Sequence, residues 1–426
     1  MNFNRLGRII AGLVTTNERA AVGPLKGVRV VEMAGLGAGP ITGMMLADWG
    51  AEVILVDKPG PPSAEARIHV KDVDPLNCNK RRLALNVKEP AHLSLLKEVI
   101  GASDVLLESY RPGVMERLGL APEECMKQHP ALVYARLTGW GQTGPMALKA
   151  GHDPNYVAAT GALYHTGDPG SPPVSPPTLL GDAAAAALLV AGIAAALVTV
   201  SKTGQGQVID ASIAESANYL TTYAKSFYQA GQISDQRGAR WLDGAAPWNA
   251  TYATKDDGYM VVAAIEAKFY RSFISGLGLT SDPVFADFQQ WDQEKWPQQK
   301  AAVADKFAAE SRAHWTEVFS DLDACVSPVL TYAESAEQAH LAERAANRRI
   351  GDQVFPAPAP RFLQTPSSAA RSELTDDPAA YLRSIGVSEA SLDAWQDSLP
   401  AETENPFIQC SKGQDLALKR WPTGAL

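Results

Sequence analysis

The sequence predicts an α/β protein with a doubly wound, Rossmann-like large domain and a smaller α+β domain. Three observations carry that prediction. Short β-branched runs alternate with helix-like stretches from residue 28 to residue 138, the pattern of a parallel sheet built from βαβ units. A hairpin pattern around Asp257-Gly258 marks a change of architecture after about residue 235. At 426 residues, the chain is too long for one ordinary core.

The elements follow in order. Residues 28–33 form a buried strand, residues 41–50 a helix and residues 52–56 a second strand closed by Asp57-Lys58-Pro59-Gly60. Residues 83–86 continue as strand, 90–100 as helix, 104–108 as strand, 122–127 as helix and 132–138 as strand. A loop rich in proline, glycine and serine spans residues 167–177. The alanine-rich run 183–200 has the length of a membrane span, but alanine is only weakly apolar, and it reads as a buried helix of a large soluble domain. A strand at 208–210 and a helix from 211 to about 230 close the large domain.

In the smaller domain, residues 251–254 and 259–265 flank the Asp-Gly turn. Helical stretches at 268–277, 298–307 and 315–322 lead to a strand at 325–330. The expected boundaries are an N-terminal extension over 1–24, the large domain over 25–232 and the small domain over 233–333. A polar segment over 334–426 is expected to return along the large domain and end in a tail.

Composition narrows the function classes. The chain is 46% hydrophobic and 20% charged, as folded soluble proteins are, and its net charge of −9 argues against non-specific binding to nucleic acid or anionic membranes. Four cysteines lie far apart (Cys78, Cys125, Cys325, Cys410) with no C-x-x-C pair. Neither a zinc site nor a disulfide framework is implied, and scattered thiols fit the cytoplasm. The first 23 residues carry Arg5, Arg8 and Arg19 around a short apolar run, which reads as a surface extension or as a targeting peptide. The end at Thr423-Gly424-Ala425-Leu426 is not the peroxisomal Ser-Lys-Leu address.

The turn Gly35-Leu36-Gly37-Ala38-Gly39-Pro40 invites a dinucleotide reading, but a Rossmann fingerprint needs G-x-G-x-x-G. Counted from Gly35 the sixth residue is Pro40, and counted from Gly37 it is Thr42. Asp57 stands at the spacing of a ribose-binding acid, but Lys58 beside it suits a phosphate better. The turn reads as one that permits close packing. Lys58, Lys80, Arg81, Arg82 and Arg111 are expected on loops at the carboxyl ends of the strands, where such sheets bind ligands. They suit a phosphorylated nucleotide other than a dinucleotide, or ordinary solvated charge.

Several blocks resemble the class III CoA-transferase superfamily. They are Leu25-Lys26-Gly27-Val28-Arg29-Val30-Val31-Glu32, Leu46-Ala47-Asp48-Trp49-Gly50-Ala51-Glu52-Val53, Asn79-Lys80-Arg81-Arg82-Leu83, Arg111-Pro112-Gly113-Val114, Gly139-Trp140-Gly141-Gln142-Thr143-Gly144-Pro145 and Thr203-Gly204-Gln205-Gly206-Gln207-Val208. Three further blocks resemble the α-methylacyl-CoA racemases: Gly151-His152-Asp153-Pro154-Asn155-Tyr156, Leu180-Gly181-Asp182 and Ala264-Ile265-Glu266-Ala267-Lys268-Phe269-Tyr270. By that resemblance His152, Asp182 and Glu266 match the catalytic residues, while Arg111 and Tyr156 match positions near the CoA. The resemblance also implies an interlocked homodimer, with the active site between the large domain of one subunit and the small domain of the other. The implied substrate is an acyl-CoA thioester, with no cofactor beyond that CoA and no metal.

Inverting the α-carbon of a 2-methylacyl-CoA needs two acid/base groups on opposite faces and donors for the enolate oxygen. Asp182 precedes a long helix, whose N-terminus stabilises a carboxylate and offers free N–H groups. Alone it reads as an ordinary capping aspartate; beside the family blocks it reads as one of the two bases. His152 serves the other face, since imidazole both takes and gives a proton near neutrality. Glu266, at the end of an apolar strand, holds one ring nitrogen of His152. Asp153 is assigned a structural or CoA-loop role, and His165 with the 243–247 loop is a candidate lining of the acyl pocket.

Three positions depart from the racemase pattern: Thr178, Pro154 and Ala245. Matching positions near the acyl group, they point to an unusual substrate or to a weak or altered activity, and the sequence leaves the acyl chain open between branched fatty acids and sterol side chains. Two other readings stand beside the racemase. In a CoA-transferase Asp182 attacks the acyl-CoA and forms a mixed anhydride. Those transferases lack the His152 and Glu266 counterparts, and several carry a glycine-rich lid that this sequence lacks. The third reading is an inactive CoA-ester-binding protein.

Overall fold

Aliphatic runs hidden on both faces form the central sheet. The computed structural model describes residues 23–59, 74–177, 180–285, 289–350, 353–367 and 377–398. Strands β1 (Arg29–Met33), β2 (Glu52–Asp57), β3 (Arg81–Ala84), β4 (Val105–Glu108), β5 (Val133–Thr138) and β6 (Val208–Ser212) make one six-stranded sheet in the order 3-2-1-4-5-6. Each neighbouring pair is parallel. Val30, Val31, Ile54, Val105, Leu106 and Val133 are completely buried, as a sheet covered on both faces requires. This order places a topological switch point between β1 and β4.

The sheet belongs to the first of two compact units, which takes the chain up to Ala150, Asp182–Ser216 and the chain from Arg348. Its Ala38–Asp48 helix starts earlier than the predicted residue 41. Gly37, with φ 68° and ψ −121°, turns the chain directly into it, and Pro40 is tolerated because first-turn N–H groups lack helical partners. The Leu180–Thr203 helix is long and apolar enough to cross a membrane by length and composition. Within its unit Ala185, Ala186, Leu189, Val190 and Ile193 are buried, at the three- and four-residue steps of one helical face. Helices Pro378–Ser384 and Glu389–Asp397 bring Leu382, Leu392 and Trp395 into the core beside Leu95, Leu96 and Val99. Glu98 fixes that junction by accepting from the Ser388 backbone N–H and the Ser391 hydroxyl.

The second unit comprises Gly151–Gly181 and Ala217–Asn347. Strands β7 (Asn249–Ala253), β8 (Tyr259–Ala263) and β9 (Val326–Pro328) form an antiparallel sheet in chain order. The turn between β7 and β8 carries Asp257 at φ 58°, the left-handed conformation that aspartate adopts more readily than most residues. Aromatic side chains fill the core under this sheet, including Trp248, Tyr252, Phe273 and Phe307. The predicted helix over 211–230 is two helices, Ile213–Leu220 and Thr222–Gln229. The break falls at Thr221, whose hydroxyl donates to the Asn218 carbonyl and competes with the helical ladder.

Candidate active site

The glycine turn lies at the carboxyl end of β1, and Ser109 follows the carboxyl end of β4, so the two meet at the switch point. A Cβ at Gly35 would sit 2.2 Å from Ser109 Oγ, and one at Gly39 3.0 Å from the same atom. At Gly37 a Cβ would lie 2.4 Å from Asp182 Oδ2, and at Gly43 1.7 Å from Glu32 Oε2. Three polar side chains therefore seat against the backbone of residues 35–43, and glycine is what admits them. The turn does pack closely, as its sequence suggests, but against carboxylates and a hydroxyl. Sequence reasoning missed Ser109: spacing announces a close approach without saying what approaches. Its Oγ is enclosed and has no hydrogen-bond partner among the described residues.

Asp182 sits in the first turn of the Leu180–Thr203 helix, as expected from its place before the alanine run. It is 8% exposed. The helix N-terminus favours its negative charge and leaves first-turn N–H groups free of helical partners. A carboxylate, backbone donors and a glycine wall with little side-chain bulk thus meet at one place.

Below the turn, Lys80 and Glu32 form a buried ion pair. Lys80 Nζ lies 2.8 Å from Glu32 Oε2, with both side chains 1% exposed. The same ammonium donates to Glu32 Oε1 at 2.9 Å and to the Pro40 carbonyl at 3.0 Å. Burial pushes the Glu32 carboxyl above its ordinary range, and the Lys80 charge pulls it back.

The cations at 80–82 are therefore corrected. They open β3 rather than follow a strand, because the strand begins at Arg81 and not at the predicted residue 83. Arg82 donates to Asp57 Oδ2 from both Nε (3.1 Å) and Nη2 (2.7 Å), which also occupies the acid that stands at ribose-binding spacing. Arg81 lies 3.4 Å from Glu52 and over the Tyr381 ring. By contrast Lys58 follows the carboxyl end of β2, Arg111 follows that of β4, and both are exposed. Behind Arg111, Glu108 is completely buried and accepts from Arg136 Nε at 2.7 Å and from the Tyr110 backbone N–H at 2.8 Å. Those bonds fix the start of the Arg111 loop.

His152, Tyr156 and Glu266 belong to the second unit. His152 is exposed and caps the Asp153–Ala158 helix, its backbone N–H donating to Asn155 Oδ1 at 3.0 Å. Pro154 falls in the first turn, where proline fits without loss of a helical bond, so this departure has a structural explanation. Tyr156 is buried and its hydroxyl donates to the Gly151 carbonyl, one residue before His152. Glu266 is exposed at the N-cap of the Ala267–Gly276 helix, three residues past the end of β8. The Cys325 thiol nearby is pushed up by burial and then by Glu266. Gln290, 4% exposed, donates its side-chain amide to the carbonyls of Ala264 (2.9 Å) and Ile265 (2.7 Å), mooring the strand end that carries Glu266. His165 ends a short 3-10 turn. Asp243 closes its own loop by accepting from Gly238 and Arg240. Thr178 lies outside the described residues. Among the described residues no group of three or more His, Cys, Asp or Glu side chains is placed to hold a metal.

The family model of CoA-transferase family III matches residues 25–379. The chain is 42% identical to the alpha-methylacyl-CoA racemase of Homo sapiens over 345 residues, 80% of this chain and 87% of the relative. Against the alpha-methylacyl-CoA racemase of Mus musculus it is 40% identical over 373 residues, 86% and 95% of the two chains. Among solved structures, a CAIB/BAIF family protein from Brucella suis superposes with a TM-score of 0.71 at 23% identity, over 85% of this chain and 100% of that one. That likeness concerns the fold.

Proposed function

The chain belongs to CoA-transferase family III, and from that premise we propose that it is an α-methylacyl-CoA racemase, an isomerase that inverts the α-carbon of 2-methylacyl-CoA thioesters. The observation that carries this reading is Asp182: a buried carboxylate in the first turn of a long helix, set against Gly37 at the sheet's switch point. The identity to two racemases over most of the chain supports it.

In the proposed reaction one base removes the α-proton and the other returns a proton to the opposite face. Asp182 and His152 are the two bases, and Glu266 orients the His152 ring. The intermediate is a thioester enolate, and backbone N–H groups at the start of the Asp182 helix receive its oxygen. Losing one such donor costs about 2.7–4 kcal/mol of barrier lowering. Lys58, Arg111 and Tyr156 contact the CoA portion, whose phosphates suit the two exposed cations. CoA enters as part of the substrate, and no other cofactor is required. The proposed assembly is an interlocked homodimer in the cytoplasm, with the large domain of one subunit and the small domain of the other sharing each site.

The second reading, a CoA-transferase with Asp182 as nucleophile, uses the same buried Asp182 and is favoured by the family match. Incubating one 2-methylacyl-CoA epimer in D₂O separates the readings. A racemase incorporates deuterium at Cα and loses optical purity. Transfer of CoA to an added free acid, with release of the 2-methyl acid and no Cα label, makes the protein a transferase. Binding without either reaction makes it a CoA-ester-binding protein.

A further inference from the structure

We propose that Lys80 is a positioning residue that holds the glycine turn against Asp182, and that it makes no contact with the CoA phosphates; this rests on the racemase reading of Asp182. Three observations meet on this residue. Its ammonium is enclosed, 1% exposed, so no phosphate in solvent reaches it. It is shared between a carboxylate of β1 and a carbonyl of the following helix, lying 2.8 Å from Glu32 Oε2 and donating to Glu32 Oε1 at 2.9 Å and to the Pro40 carbonyl at 3.0 Å. Gly43 supplies the slot, since a Cβ there would lie 1.7 Å from Glu32 Oε2 and 2.9 Å from Lys80 Nζ.

The pair therefore fastens both sides of one turn. Glu32 is the penultimate residue of β1, and Pro40 lies in the first turn of the helix that follows. Between them runs the Gly35–Gly39 backbone, with Asp182 seated on Gly37. The adjacent residue adds a second fastening, as Asn79 donates to Asp48 at the far end of the same helix. A buried ion pair adds little net stability compared with an apolar pair, and its use is to fix geometry. Here the ammonium's other hydrogen bond goes to the turn itself, and small displacements of a base relative to its carbon acid are costly.

The test compares two substrates. An acyl-pantetheine lacks the nucleotide phosphates of acyl-CoA but carries the same thioester. Removing both partners together, in Glu32→Gln/Lys80→Met, avoids leaving a lone buried charge. The expected result is a native circular dichroism spectrum, faster amide hydrogen exchange over residues 35–43, and a kcat loss of roughly ten- to hundredfold, equal for both substrates. A loss confined to acyl-CoA and expressed in KM makes Lys80 a phosphate contact and overturns the proposal. Full activity on both substrates overturns it as well. Should the double variant not fold, Lys80→Arg keeps the charge and changes the bond to Pro40, and the ratio of its losses on the two substrates decides in the same way. A wild-type protein that exchanges no α-proton sinks the racemase reading instead, and unchanged exchange over residues 35–43 in the variant still sinks the brace.

Discussion

Gly37 and Asp182 stand so close that a single methyl group between them would lie 2.4 Å from the carboxylate oxygen. The glycine also holds φ 68° and ψ −121°, a conformation that L side chains rarely adopt. Gly37→Ala therefore faces two penalties. The backbone strain is about 1–3 kcal/mol, and Asp182 must move away from the turn. The expected variant unfolds at a lower temperature and loses most of its α-proton exchange, while binding of a CoA ester changes little. Calorimetry and exchange in D₂O measure the two effects separately. A variant with wild-type exchange would show that Asp182 tolerates displacement and has no precise task.

Asp182→Asn keeps the shape of the side chain and removes its basicity. Inversion is expected to fall at least about a hundredfold, the usual scale for losing a general base. His152→Ala is expected to do the same from the other face. The two losses differ in one respect. With one base left, each variant still exchanges the α-proton of the one epimer that presents it to the surviving group. Single-epimer exchange followed by chiral analysis reads this directly. If both variants exchange both epimers equally, the two-base scheme fails.

The parallel sheet was legible because its strands are short, largely aliphatic runs, such as Val28-Arg29-Val30-Val31, separated by helix-length intervals. Asp182 was legible for a local reason: an acid before an alanine run marks a helix start. The Lys80–Glu32 pair was not. The two are 48 positions apart, and charge on β1 says nothing of its partner until the sheet order is known. Lys80, Arg81 and Arg82 looked like a basic loop because three cations in a row are usually solvated, yet carboxylates Glu32, Glu52 and Asp57 take one each. Ser109 carried no signal at all, since a serine after a strand is common and only the three-dimensional turn gives it neighbours.

Arg111 is the cation expected to pair with a CoA phosphate. It is exposed beyond β4, and its loop is held from behind by Glu108 and Arg136. Arg111→Ala should raise KM for an acyl-CoA by roughly ten- to hundredfold, matching the 1.5–3 kcal/mol of a hydrogen bond to a charged group. The KM for the matching acyl-pantetheine should not change. Steady-state kinetics on the two substrates decides, and equal loss on both would remove Arg111 from phosphate recognition.

Gln290 offers a test of Glu266 from outside the site. Its amide donates to the Ala264 and Ile265 carbonyls, while its own backbone carbonyl accepts from the Trp248 and Trp296 indoles. Gln290→Ala leaves the indole bonds in place and removes only the two that hold the strand end. The cost in stability is expected at about 1–3 kcal/mol, from two lost hydrogen bonds in a buried setting. With Glu266 the next residue after Ile265, the released strand end should also reorient that carboxylate. The activity loss should then appear in kcat at a temperature where urea titration shows the variant fully folded, and Glu266→Gln should show a loss of the same kind. Combining the two changes should add little to either alone, because both act through one carboxylate. Additive losses would mean that Gln290 supports the fold and not the placement of Glu266.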